Sequence, residues 1–188
     1  MSDHFKQFNF MKYKYIFENL IELLDSFFSQ NQDLKCNLID VGCGRAFISI
    51  IVFLFFKNHF QKLILLDKKV KINKTVFTSD YFSGRVEMIE NRFEKETLGD
   101  LIKKEEEFIF LGFHLCGETS TNFINCFLEF ECLRMMFLVP CCFQSDCFEG
   151  SYEDWCQHLF RNLKEQNVSY LRKIESKYLL YSIKRFVK

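Results

Sequence analysis

Along the first third of the chain the spacing of apolar positions switches repeatedly between helical and strand periods. In "YIFENLIELLDSFF" the residues Ile16, Leu20, Leu23, Leu24, Phe27 and Phe28 recur at helical spacing, which predicts an amphipathic helix covering a sheet face or edge. "QNQD" interrupts it, and "CNLIDV" is a short apolar run that predicts a buried strand ending at Gly42. From Arg45 the run through Phe56 predicts a buried helix, too short for the roughly 20 residues that a bilayer span needs. "KLILLD" then predicts a second strand ending on Asp67.

The alternation continues. "KKVKINKTVFTSDYF" predicts a helix, "GRVEMIE" a third strand, "EKETLGDLIKKEEE" a polar helix or helix plus turn, and "FIFLGF" a fourth strand. "STNFINCFLEF" is the next helix, "RMMFLVP" a fifth strand stopped by Pro140, and "YEDWCQHLFRNLKEQ" a further amphipathic helix. Strands alternating with helices imply right-handed crossovers and a mostly parallel sheet. "VSYLRKIE" and "KYLLYSIKRF" are separated by only a few residues around Ser176, too few for a helical crossover, so an antiparallel hairpin is expected there. The expected organisation is one α/β domain, with an N-terminal covering helix within residues 1–35 and the sheet core over 36–188.

Charge changes this picture little. The chain has 25 basic and 25 acidic side chains, so no global field draws it to nucleic acid or to a membrane surface, and a polyanion would need a local patch. Lys68, Lys69, Lys71 and Lys74 form such a cluster, which is either one solvated helix face or a contact for an RNA backbone. Nine cysteines are an odd set without a leading apolar segment and small-residue cleavage site, so reduced thiols and a cytoplasmic or nuclear setting are expected.

"NLIDVGCGRAF" carries the first candidate chemistry. A strand, glycines and a helix bring backbone close to a ligand at the carboxyl end of a sheet. A dinucleotide fingerprint would need a third glycine where Phe47 stands. The sequence offers instead Asp40, Gly42, Gly44 and the small Ala46, followed roughly 20 residues later by Asp67 at a strand end, where a carboxylate can accept from ribose hydroxyls. The alternative is a tight strand-to-helix turn, with Asp67 capping the next helix.

The acidic-x-Gly-x-Gly-x-small pattern resembles the first motif of class I S-adenosylmethionine-dependent methyltransferases. That resemblance implies a Rossmann-like sandwich with a seven-stranded, mostly parallel sheet ending in an antiparallel hairpin. It implies S-adenosylmethionine as cofactor, bound through Asp40, Gly42, Gly44 and Asp67. Asn91, after strand three, would read the adenine edge, or else is simply a turn former.

Two further motifs, "GFHLCGETST" after strand four and "VPCCFQSDC" after strand five, should meet the glycine turn at the same edge. Together they resemble a narrower methyltransferase subgroup with HxCG and CC motifs, which includes the eukaryotic tRNA acceptor-stem 2′-O-methyltransferases. Thr119 and Ser120 depart from that pattern, and no zinc-finger spacing accompanies it. The resemblance implies RNA, tRNA among the choices, as acceptor. His114 is the candidate base, because imidazole titrates near neutrality; its alternative is to bond neighbouring backbone and shape the loop. Cys116, Cys141 and Cys142 are candidate substrate-side residues, read as reduced pocket linings in preference to zinc ligands. The rival reading is a methyltransferase-like subunit without activity that binds a partner protein.

Overall fold

The computed structural model describes residues 10–102, 106–142, 154, 155, 157, 158, 169, 170, 173, 174, 178, 179 and 181–184. Its first helix, α1 (Phe10–Gln30), turns the predicted stripe inward: Ile16, Leu20, Leu24, Phe27 and Phe28 are buried. Then come β1 (Cys36–Val41), α2 (Phe47–Phe55), β2 (Phe60–Asp67), β3 (Val86–Glu90), α3 (Lys95–Leu101), β4 (Phe108–Cys116), α4 (Glu118–Glu129) and β5 (Leu133–Cys142). These five strands form a parallel sheet in the order β3-β2-β1-β4-β5. The order reverses between β1 and β4, the place where open α/β sheets bind ligands.

Every residue of β1 is buried, as a central strand covered on both faces requires. Alternation along the strands splits the core in two. Leu38, Leu63, Leu65, Ile109, Leu111 and Phe137 face α1 and α2, whereas Ile39, Ile64, Leu66, Phe110 and Leu138 face α3 and α4. Burying a side chain of this size is worth about 1.5–3 kcal/mol, so the two apolar layers dominate the stability.

Three local expectations are corrected. Residues 68–82 form no α-helix, only the short 3-10 turns Lys74–Phe77 and Asp80–Phe82. Val70 and Ile72 pack on the core while Lys69 and Lys71 between and beside them are exposed, a period of two that an α-helix cannot satisfy. The Asn73 side chain accepts from the Thr75 N–H at 3.1 Å and starts the first turn there. Pro140 does not stop β5, which continues to Cys142. Proline lacks a donor, and here it falls opposite an irregularity in the β4 ladder, where regular pairing is already broken. Finally, β4 runs past "FIFLGF", so His114 and Cys116 belong to the strand and not to a loop after it.

Toward the C-terminus the expected helix and hairpin lie largely outside the described residues. Among the described ones, Tyr181–Lys184 pairs antiparallel with β5, Ser169–Tyr170 pairs antiparallel with Tyr181–Lys184, and Lys173–Ile174 pairs with Tyr178–Leu179. No helix among the described residues is long and apolar enough to cross a membrane.

Candidate functional site

A cavity of about 840 Å³ opens at the carboxyl ends of β1, β2 and β4, over the point where strand order reverses. Its wall includes Gly42, Asp67, Lys68, Arg92, Phe93, His114, Leu115 and Cys116, with polar side chains of α3 and α4 on the far side.

The glycine turn is built by left-handed backbone. Gly42 has φ 65°, Gly44 φ 52° and Ala46 φ 50°, a region costly to residues that carry a Cβ. Ala46 is buried and starts α2, so the small residue tolerates both the conformation and the confinement. The Gly42 N–H donates to the Leu66 carbonyl at 2.8 Å, and the Gly44 carbonyl accepts from the Lys71 N–H at 2.9 Å. The turn is thus stitched to the end of β2 on both sides.

Asp67 organises the junction. One carboxylate oxygen accepts from the Gly44 N–H at 2.9 Å and the other from the Lys69 N–H at 2.8 Å. A carboxylate offers about four lone-pair positions, so capacity remains for two further donors. Asp40, one strand over, is buried behind the wall and does not line the cavity. The Ser49 hydroxyl donates to its Oδ2 at 2.6 Å, and its Oδ1 has no partner. Burial pushes the Asp40 carboxyl up to about 7 and the Asp67 charge adds to the rise, against the Ser49 hydrogen bond. Burial likewise raises the Cys43 thiol, with the two acids as lesser causes, so this cysteine inside the turn is no nucleophile.

His114 sits at φ 58°, where the β4–β5 register shifts between Phe113 and Leu115. Strict alternation would place it on the α3–α4 face, with Leu115 on the face of α1. The bulge exchanges them. Leu115 packs in the core under α3 and α4, and the His114 ring meets Tyr13 of α1 edge-on, with centroids 5.6 Å apart. The exchanged Leu115 needs room on two sides. A methyl group placed on Gly42 would lie 2.8 Å from its Cδ2, and one on Gly112 would lie 2.6 Å from its Cδ1.

The structure brings Gly42, Asp67, His114 and Cys116 onto one cavity wall. Gly44 bonds to Asp67 from just outside the wall. Asn91 also stays outside it: its side chain accepts from the Arg92 N–H at 2.8 Å. The cavity is lined by the following Arg92 and Phe93 instead, which the sequence pattern did not single out although they adjoin Asn91. Cys141 and Cys142 end β5, with Cys142 in register with Cys116. Among the described residues no group of three or more His, Cys, Asp or Glu side chains assembles to hold a metal.

A family of proteins described as "Methyltransferase domain" matches residues 11–145, which include every part of this site. The chain belongs to that family. It is therefore a methyltransferase by class, with S-adenosylmethionine as its cofactor. No curated protein matches the chain. Among solved structures, a candidate rRNA methylase from Clostridium thermocellum is 13% identical, with a TM-score of 0.57 over 88% of this chain and 96% of that one. A candidate methyltransferase from Streptococcus mutans, solved in complex with SAH, is 16% identical, with a TM-score of 0.53 over 88% and 97%. The human methyltransferase 10 domain containing protein is 12% identical, with a TM-score of 0.56 over 89% and 79%. At such identities the likeness is one of fold.

The residues of this methyltransferase suit the cofactor. Asp67, with acceptor capacity to spare, and the Gly42 backbone, bare of side chain, lie on the same cavity wall.

Proposed function

We propose that the chain methylates RNA, holding S-adenosylmethionine through Asp67, Gly42 and Gly44, with Asp40 supporting the turn from behind and Asn91 fixing the turn that carries Arg92 and Phe93. The observation that carries the cofactor reading is the Asp67 carboxylate, fixed by two backbone N–H groups at the wall of a cavity over the strand-order reversal. When bound, S-adenosylmethionine supplies an electrophilic methyl group on a sulfonium sulfur. His114 then accepts the proton of the acceptor hydroxyl or amine, while the enclosing wall excludes water and orients the acceptor. Cys116, and with it Cys141 and Cys142 at the end of β5, would form the acceptor side of the pocket.

RNA as acceptor is supported by the HLCG and CC motifs, and by the fold shared with a candidate rRNA methylase. The same motifs support placing the chain in the HxCG subgroup, near the tRNA acceptor-stem enzymes. The short antiparallel segments beyond β5 are in keeping with the seven-stranded sheet and closing hairpin of that class, and residues 36–188 would form its core under the N-terminal helix.

Calorimetry with S-adenosylmethionine and its demethylated product tests the cofactor site, with NAD as control. Binding of both that is lost in Asp67→Ala is expected. Transfer of labelled methyl to total RNA tests the acceptor, and His114→Ala should abolish turnover while keeping cofactor affinity. Undiminished turnover in that variant overturns the role of His114 as base.

A further inference from the structure

Charge is unevenly distributed around the cavity wall and the glycine turn beside it, and the division follows the two faces of the sheet. On the α3–α4 side the wall carries Glu94, Glu96, Glu118 and Glu129 against Arg92, and its Lys95 is paired with Glu129 at 2.7 Å. On the α1–α2 side the glycine turn and the chain leaving β2 present Arg45, Lys68, Lys69, Lys71 and Lys74, all exposed. With a formal net charge of zero over the whole chain, this separation is local.

These lysines are not the solvated face of a helix, because residues 68–73 are neither helical nor loose. Val70 and Ile72 anchor the segment on the core. The Lys69 N–H donates to Asp67 and the Lys71 N–H donates to the Gly44 carbonyl at 2.9 Å. These two backbone bonds fix Lys69 and Lys71 beside the glycine turn, and Lys74 follows at the start of the 3-10 turn. His114 has been turned to this same face by the bulge in β4, where Tyr13 meets it.

We infer that the row Lys69, Lys71 and Lys74 is the docking strip for the phosphate backbone of a single-stranded or looped RNA acceptor. The strand would enter over the glycine turn and be repelled from the acidic α3–α4 side, so that the target nucleotide arrives on the His114 face. The inference rests on the RNA reading above and adds to it a surface, a direction of approach and a conformational class of substrate.

The test uses the full chain and a fluorescent single-stranded RNA of mixed sequence, with anisotropy measured between 50 and 200 mM salt. Each phosphate contact to a single strand contributes about 0.7 to the slope of log affinity against log salt. The variant Lys69→Glu/Lys71→Glu/Lys74→Glu should therefore show a slope shallower by about 2, and affinity at the lowest salt reduced by at least about tenfold. The neutral variant Lys69→Gln/Lys71→Gln/Lys74→Gln should fall between it and the parent. Far-UV circular dichroism and the urea midpoint should match the parent in both, which certifies that the fold is intact. Parental affinity and slope in both variants would overturn the strip while leaving RNA as acceptor. If the parent binds S-adenosylmethionine but no RNA, the acceptor reading fails and the strip fails with it.

Discussion

Placing a methyl group on Gly112 tests whether the bulge in β4 is built as described. The Gly112 backbone is not left-handed, so Gly112→Ala meets only a packing obstacle: Leu115 Cδ1 at 2.6 Å and the Phe123 ring at 3.1 Å. Leu115 is 3% exposed, and its other methyl already crowds Gly42, so it has little freedom to retreat. Overpacking of this kind costs about 1–3 kcal/mol, partly offset by the roughly 0.5–1 kcal/mol that alanine gains over glycine inside a strand. The expected loss is about 1–2 kcal/mol. Leu115→Ala alone should cost about 2–5 kcal/mol, and in that background Gly112→Ala should become neutral or slightly stabilising. The assay is urea unfolding followed by fluorescence of Trp155, the chain's single tryptophan, which is buried in the same apolar layer as Leu115. An unchanged denaturant slope would attribute the shifts to stability. Equal costs of Gly112→Ala in the two backgrounds, within about 0.5 kcal/mol, would refute the seating of Leu115 against Gly112.

Two further outcomes follow from the site. At position 114 the usual order of strand residues should invert: His114→Gly should be more stable than His114→Ala by about 1–2 kcal/mol, since only glycine adopts φ 58° without strain. Chemical denaturation reads this directly, and alanine ranking above glycine would mean that the backbone there is ordinary strand. Asp40 should leave a signature in the pH dependence of stability. Its carboxyl titrates near 7 when folded, against a reference value of 3.8. Between those values the folded chain holds a proton that the unfolded chain has lost, so this contribution is full below pH 3.8, declines as pH rises and is lost above 7. The decline approaches about 1.4 kcal/mol per pH unit. Urea midpoints from pH 5 to 8 should therefore show a flatter profile in Asp40→Asn than in the parent, and parallel profiles would contradict the buried, raised carboxyl.

The sheet core was legible because its signals are local and redundant. "CNLIDV" coincides with β1, the apolar run after Arg45 contains α2, and Asp67 closes β2 as its position promised. The glycine turn was legible because left-handed backbone leaves a compositional trace in Gly42 and Gly44. What stayed hidden has no such trace. Histidine at φ 58° looks like any other histidine, so neither the bulge nor the face that His114 occupies could be read from "HLCG". The stretch after Asp67 misled because its lysines and apolar residues fit a helical wheel as well as they fit alternation, and contact of Val70 and Ile72 with the core decided between them. Arg92 and Phe93 reach the cavity by virtue of where β3 ends relative to β4, which is tertiary information.

The bulge also sets a rule for anyone grafting this site or tracing its descent. From Phe108 to Phe113 the strand keeps one phase of alternation between the two helix layers, and Leu115 falls in the opposite one. Gly42, Gly112, His114 and Leu115 consequently form a single packing unit, spread over β4 and the glycine turn. Deleting His114 would not shorten the pocket by one residue. It would restore a regular ladder, leave Leu115 in the α3–α4 layer, and remove the side chain that the bulge presents to Tyr13 of α1. Moving "HLCG" alone onto another sheet would carry the histidine without the orientation that makes it useful.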